Sequence, residues 1–115
     1  MQLNLLKRGV ILLGLLAASF AGFAQQPYPN RPVKIIVPFA TGGPADNYAR
    51  FIAQRLQENL GQSFVVDNKP GAGATLGPAF VAKAPADGYT LLLTTKSQMV
   101  NNQYLYKKLP FDPLN

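Results

Sequence analysis

Three short apolar segments, each followed by a turn and a stretch of helical character, constrain the fold of this chain more than any other feature of its sequence. The segment 33–37 (VKIIV) is β-branched and almost continuously apolar, which is typical of a strand buried on both faces of a parallel sheet. Residues 63–67 (SFVVD) and 89–95 (YTLLLTT) predict two further strands. Alternation with helices and short turns predicts an α/β fold of order β-α-β-α-β-α, with a mainly parallel sheet and right-handed crossovers.

The helix between the first two strands has the clearest periodicity. Its apolar residues recur at spacings of three and four, which places them on one face: Ala45, Tyr48, Ala49, Ile52, Leu56 and Leu60. Gly61 stands where a left-handed C-terminal cap ends such a helix. A shorter helix is predicted over residues 75–84, where Pro78 fits only in the first turn because it has no N–H group. Residues 96–108 have helical character after the third strand.

The residue types that are missing exclude several kinds of chemistry. The sequence contains no His and no Cys, so a His-dependent triad, a cysteine nucleophile and a thiolate metal site are absent from it. No two of its acidic residues share a predicted loop, whereas acid/base hydrolysis needs paired carboxylates. We therefore expect no catalytic residue, metal or cofactor. Of the formal charge of +6, Lys7 and Arg8 near the N-terminus carry two, and the remaining +4 is spread along the chain and does not indicate a nucleic-acid partner.

The first 24 residues have the pattern of a secretory signal peptide. Lys7 and Arg8 form a positive segment, and the apolar run that follows is too short to cross a bilayer comfortably. Small residues then lead to Ala24. A membrane anchor is the alternative, but the short apolar run and its small-residue exit favour cleavage after Ala24. We predict export to the periplasm and a mature domain over residues 25–115.

Three loops follow the predicted strands at the carboxyl edge of the sheet, where open parallel sheets bind their ligands. Loops 38–46 and 68–75 are rich in Gly and lead into helices, and loop 94–98 carries hydroxyl groups with one cation, Lys96. Free N–H groups at a helix start, approached closely through Gly, suit an anion. An ordinary strand-to-helix turn explains either Gly loop alone, whereas two at one edge favour binding. For Asp46, capping of the helix start ranks above direct ligand contact.

A nucleotide-binding reading rests on a weaker pattern. Gly71, Gly73 and Gly77 loosely match a dinucleotide-binding fingerprint, but the fingerprint requires Gly where Leu76 stands. The predicted export also argues against a cytoplasmic cofactor enzyme. A fragment of a nucleotide-binding α/β enzyme is therefore the alternative function, beside a truncated gene product that binds nothing.

Several motifs taken together resemble the Bug receptors, the solute-binding proteins of tripartite tricarboxylate transporters. In chain order they are VKIIVPF at 33–39 with Gly42, Gly43 and Asp46, LGQ at 60–62, VVDNKPGAG at 65–73, VAKAPADGYTL at 81–91, and LYKKLPFDPL at 105–114. The resemblance covers essentially all of residues 28–115. The chain departs from the family at Pro78, where a helix former is usual, and at Asn102, where Pro is usual.

The resemblance implies a lobe of the type II periplasmic binding protein fold within a two-lobed receptor. The chain stops where the first lobe passes to the second, so we expect a truncated first lobe that ends near the interlobe crossover. The implied protein is a monomer and not an enzyme, and it captures a small carboxylate or related solute for membrane permease subunits.

The ligand-binding residues expected on this reading come from the three loops. They are Phe39, Ala40, Thr41, Gly42, Gly43, Asp46, Gly71, Ala72, Gly73, Thr95 and Ser97. Main-chain N–H groups of the two Gly loops hold the carboxylate, directly or through water. Thr95 and Ser97 add hydroxyl donors, and the ring of Phe39 forms a wall.

Overall fold

Three parallel strands form the sheet in the computed structural model, which describes residues 27–113. The strands are β1 (Val33–Val37), β2 (Phe64–Asn68) and β3 (Thr90–Leu92), in the spatial order β2-β1-β3. The predicted parallel α/β fold is confirmed. The third strand is shorter than predicted, because only its three residues pair with β1. The predicted signal peptide lies outside the described residues.

The helices follow the predicted order, and the two that follow β2 and β3 are shorter than predicted. They are α1 (Pro44–Leu60), α2 (Leu76–Ala82) and α3 (Asn102–Leu105), with a 3-10 turn at Ala72–Ala74 and a π-helical turn at Ser97–Asn101. Pro44 begins α1, where its missing N–H group leaves no bond unmade. Gly61 ends it in the predicted left-handed conformation, with φ of 69°. Among residues 27–113, no helix combines the length and the apolar character needed to cross a membrane.

Helices α1 and α2 cover opposite faces of the sheet. Alternate residues of β1 pack with two alanines of α1 in one buried cluster, which contains Val33, Ile35, Val37, Ala49 and Ala53. Ile36 points to the other face, where a Cβ atom on Gly77 of α2 would lie 3.4 Å from its Cγ2. This arrangement follows from right-handed crossovers, because the chain moves from β1 to β2 and then back past β1 to β3.

The apolar face of α1 is centred differently from the prediction. Ala49 and Ala53 are its buried residues, whereas Tyr48 and Leu60 are exposed by 59% and 44%. Small side chains at the centre let the helix lie close to the sheet. Tyr48 lies at the edge of this face, beside the loops that follow β1 and β3.

An aromatic and charged cluster fixes residues 28–31 to the turn before β3. The Tyr28 hydroxyl donates to the carbonyl oxygen of Gly88 at 2.6 Å. The Arg31 guanidinium lies 3.9 Å from the centre of the Tyr89 ring and donates to Asp87 at 2.9 Å. This cluster precedes β1 and β3, so it lies at the amino edge of the sheet, opposite the candidate ligand loops.

Candidate functional site

A cavity of about 700 Å³ lies at the carboxyl edge of the sheet, between the loops that follow β1 and β3. Its lining residues are Phe39, Ala40, Gly43, Pro44, Ala45, Tyr48, Leu93, Thr94 and Thr95. None of these side chains is charged. The connection from β1 leads away to β2 while β3 pairs on the other side, so the two loops diverge here. Such a divergence is the switch point at which open α/β sheets bind ligands.

The structure brings together part of the predicted site. Phe39, Ala40, Gly43 and Thr95 line the cavity. Thr41 and Gly42 are exposed in the same loop as Phe39, and Ser97 is exposed at the start of the π-helical turn. The second Gly loop, Gly71, Ala72 and Gly73, is not among the lining residues. It follows β2, which lies across β1 from β3 and therefore one strand further from the cavity.

The second Gly loop packs against a tyrosine that the sequence analysis did not single out. Gly71 and Gly73 have φ of 119° and 63°, which favours glycine at both positions. A Cβ atom on Gly73 would overlap the hydroxyl of Tyr106, which follows α3. Within the loop, the Ala74 N–H group donates to Gly71 at 2.9 Å. A side chain at Gly73 would therefore disturb the loop itself before it met any ligand.

Asp46 is buried beneath the first Gly loop. Only 1% of it is exposed, and its Oδ2 accepts hydrogen bonds from the Gly42 N–H group at 2.8 Å and from Arg50 Nε at 3.0 Å. Its Oδ1 accepts a third from Asn68 Nδ2 at 3.0 Å. The bond from Arg50, then that from Gly42, hold the pKa of Asp46 at about 2, below its ordinary 3.8.

The role of Asp46 differs in detail from a conventional cap. The capping position of α1 is Gly43, which has no side chain to accept a bond, and Asp46 binds the N–H group one residue earlier. Two consequences follow for a ligand. The Gly42 N–H group is already occupied, and Asp46 could meet a ligand only if its bonds with Arg50 and Asn68 opened.

Asn68 is the residue of this edge that sequence reasoning missed. Its Nδ2 donates to the carbonyl oxygen of Phe39 at 3.1 Å as well as to Asp46. It ends β2, where its main chain is in register with Val37 at the base of the first Gly loop. A polar residue at the carboxyl end of a strand and directly before a Gly loop is the signal that could have found it.

The buried side chain of Gln98 forms hydrogen bonds within the third loop, residues 94–98. It is 8% exposed, and its Oε1 accepts hydrogen bonds from the Thr94 hydroxyl and from the Thr95 N–H group. The Thr95 side chain stays exposed at the cavity. In the part of the chain that the structure describes, no group of three acidic residues is placed to hold a metal ion.

Comparisons with known proteins place this fold in a class. A Rhodopseudomonas palustris protein solved with adipate is 43% identical with a TM-score of 0.73, over 76% of this chain and 29% of that one. MatC from the same organism, with bound malate, is 40% identical with a TM-score of 0.71, over 75% and 29% of the two chains. The class is therefore that of ligand-binding α/β proteins, two of which are solved with the dicarboxylates adipate and malate.

The family itself is shown by sequence. The model of the tripartite tricarboxylate transporter family receptor matches residues 48–115, and the chain belongs to this family. Protein BugT of Bordetella pertussis is 46% identical over 94 residues, which are 78% of this chain and 28% of BugT. The chain thus spans less than a third of the length of these relatives.

Proposed function

We propose that this chain supplies part of the ligand-binding lobe of a periplasmic receptor that captures a small carboxylate for a tripartite transporter. The observation that carries the proposal is the uncharged cavity at the switch point between the loops after β1 and β3. Membership of the receptor family supports it, as do the adipate and malate held by two relatives of the same fold. The predicted signal peptide and the family together support a periplasmic location.

Different parts of the cavity suit the carboxylate group and the hydrocarbon part of a ligand. The start of α1 presents a partial positive charge and N–H groups, which suit the carboxylate. The N–H group of Gly42 is not among them, because Asp46 occupies it. The hydroxyl of Thr95 adds a donor at the opposite wall. The remaining walls, formed by Phe39, Tyr48 and Leu93, suit the hydrocarbon part of the ligand.

This arrangement holds a ligand and performs no reaction on it. The cavity wall offers neither a general base nor a nucleophile paired with one. Capture and release by a receptor need only reversible hydrogen bonds and apolar contact. We therefore propose transport, with permease subunits as partners, and no enzymatic step.

The test is a graft, in which residues 27–113 replace the matching segment of the adipate-binding relative from Rhodopseudomonas palustris. Isothermal titration calorimetry with adipate is expected to show binding within about tenfold of the parent, a difference of about 1.4 kcal/mol. Ala45→Glu in the graft places a negative charge in the cavity wall and should abolish binding. Gln57→Glu adds the same charge to α1 outside the cavity and should leave binding intact. A folded graft that binds no adipate, or equal binding by the Ala45→Glu and Gln57→Glu variants, would contradict the proposal.

A further inference from the structure

A polar cluster at the carboxyl edge joins two loops that are distant in the sequence. We propose that Asp46 and Asn68 are positioning residues, which hold residues 39–43 of the first Gly loop in the shape that forms one wall of the cavity. The inference rests on the proposed function, because it assigns these residues a task at the same site. Neither residue lines the cavity, so each acts through the loop.

The cluster fixes the loop at both ends. At the start of the loop, the carbonyl oxygen of Phe39 accepts a bond from Asn68 Nδ2 at 3.1 Å. At its far end, the N–H group of Gly42 donates to Asp46 at 2.8 Å. Gly42 has φ of 83°, a conformation that needs such support because an unfolded glycine has many alternatives. The two bonds leave Ala40 and Thr41 as the only loop residues between fixed points.

The two residues that fix the loop stand on rigid elements. Asn68 is held by the sheet, since it is in register with Val37 and the next N–H group, of Lys69, donates to Val37 at 2.8 Å. Asp46 is held by α1, which packs on the sheet through its buried alanines. A loop fixed to two such elements is preorganised, which lowers the ordering cost of ligand binding.

The amide of Asn68 fits this task better than a carboxylate of the same shape. Its Nδ2 carries two hydrogens, and the bonds to Phe39 and Asp46 use one each. An ionised carboxylate would have no hydrogen to donate and would face the charge of Asp46. Arg50 donates to both residues, to Asp46 at 3.0 Å and to Asn68 Oδ1 at 3.4 Å, while nearby Lys69 and Asp67 pair with each other at 3.4 Å.

The first experiment measures amide hydrogen exchange by NMR on the full 115-residue chain. In Asn68→Asp at pH 7, the bond from Asn68 to Asp46 is lost, and Asp46 no longer holds its position against the Gly42 N–H group. The protection of the Gly42 N–H group from exchange is therefore expected to fall about tenfold or more, because a charge-assisted bond is worth at least that factor. Acidification that protonates the new carboxyl group restores a hydrogen to donate, so part of the protection should return. A general loss of stability would show no such recovery.

Two further variants make the outcome decisive. Asp87→Asn breaks the ion pair with Arg31 at the opposite edge of the sheet and should leave Gly42 protection unchanged. Asn68→Ser keeps one donor, should give an intermediate loss, and replaces Asn68→Asp if that variant does not fold. Unchanged Gly42 protection in the Asn68 variants, or an equal loss in Asp87→Asn, would overturn the proposal.

The second readout is adipate affinity in the graft described above. Asn68→Ser is expected to weaken adipate binding, whereas Asp87→Asn is expected to leave it unchanged. A loosened loop with unchanged affinity would overturn the positioning role. If the parent graft binds no adipate, the proposed function fails, while the exchange measurements still decide whether Asp46 and Asn68 hold the loop.

Discussion

Gly77 of α2 lies close to Pro38 and to Ile36 of β1, and replacing it with Ala tests how the helix packs there. A Cβ atom there would lie 2.9 Å from Cβ of Pro38, 3.3 Å from its Cα and 3.4 Å from Cγ2 of Ile36. Forcing an extra methyl group into a packed interior costs about 1–3 kcal/mol. Replacing Gly by Ala inside a helix regains about 1 kcal/mol.

The two effects have opposite signs, so their sizes decide the result. The nearest atoms belong to a proline ring and to the main chain, and neither can rotate away. The upper half of the packing range therefore applies, and Gly77→Ala should lower the free energy of unfolding by about 1–2 kcal/mol after the helix gain is included. Because Pro38 leads into the first Gly loop, the same change should also disturb Gly42 exchange.

The assay is urea unfolding of the 115-residue chain, followed by far-ultraviolet circular dichroism because the sequence contains no Trp. Ala82→Gly, at the exposed end of the same helix, measures the propensity difference in place and is expected to be destabilising by up to about 1 kcal/mol. If Gly77→Ala proved more stable than the parent chain, α2 would not lie against β1 as described.

Four further outcomes are expected. Because folding lowers the pKa of Asp46 to about 2, its contribution to stability should be complete above its ordinary pKa of 3.8 and be lost as the pH falls toward 2. Acid titration of Asp46→Asn, followed by circular dichroism, should lack that component. In the graft, calorimetry with adipate should show Gly43→Val weakening binding about a hundredfold, because the added side chain would keep the carboxylate from the free N–H groups at the start of α1, although the Gly43 N–H group itself donates to Ala40. Lys96→Ala, at an exposed ammonium, should weaken binding much less. A larger effect of Lys96→Ala would mean that a side-chain charge holds the anion. The 115-residue chain alone should bind adipate no more tightly than about millimolar, about 4 kcal/mol, because it spans less than a third of the length of the adipate-binding relative; micromolar binding would contradict the two-lobe reading. Mass spectrometry of exported material should find Gln25 at the N-terminus, and retained Met1 would contradict the predicted cleavage.

The elements of the fold could be predicted because their signals are local. The β-branched run of β1, the three-and-four spacing of α1 and the glycine at position 61 each lie within one element, and each is confirmed. The predicted length of the third strand is too great. Its ends are set by pairing with β1, and the residues of the third strand alone do not encode that pairing.

The candidate site could be predicted only in part because strand order is not local. The alternation of strands and helices predicts that three Gly-rich or hydroxyl-bearing loops share an edge. It does not predict that β1 lies between β2 and β3, and this order separates the second Gly loop from the cavity. The contacts of Asn68 and Tyr106 are not predicted for the same reason, because their partners Phe39 and Gly73 are distant in the sequence.

The central place of β1 also has a consequence for how the chain folds. Among the strands of residues 27–113, β1 is synthesised first, yet its partners end at Asn68 and Leu92, so both of its edges stay unpaired until both partners exist. Pairings this distant in sequence form slowly. During that interval the run VKIIV is an open, β-branched strand with a single charge, which is the kind of segment that stacks with copies of itself. The strand that organises the finished sheet is thus a segment open to aggregation before the sheet is complete.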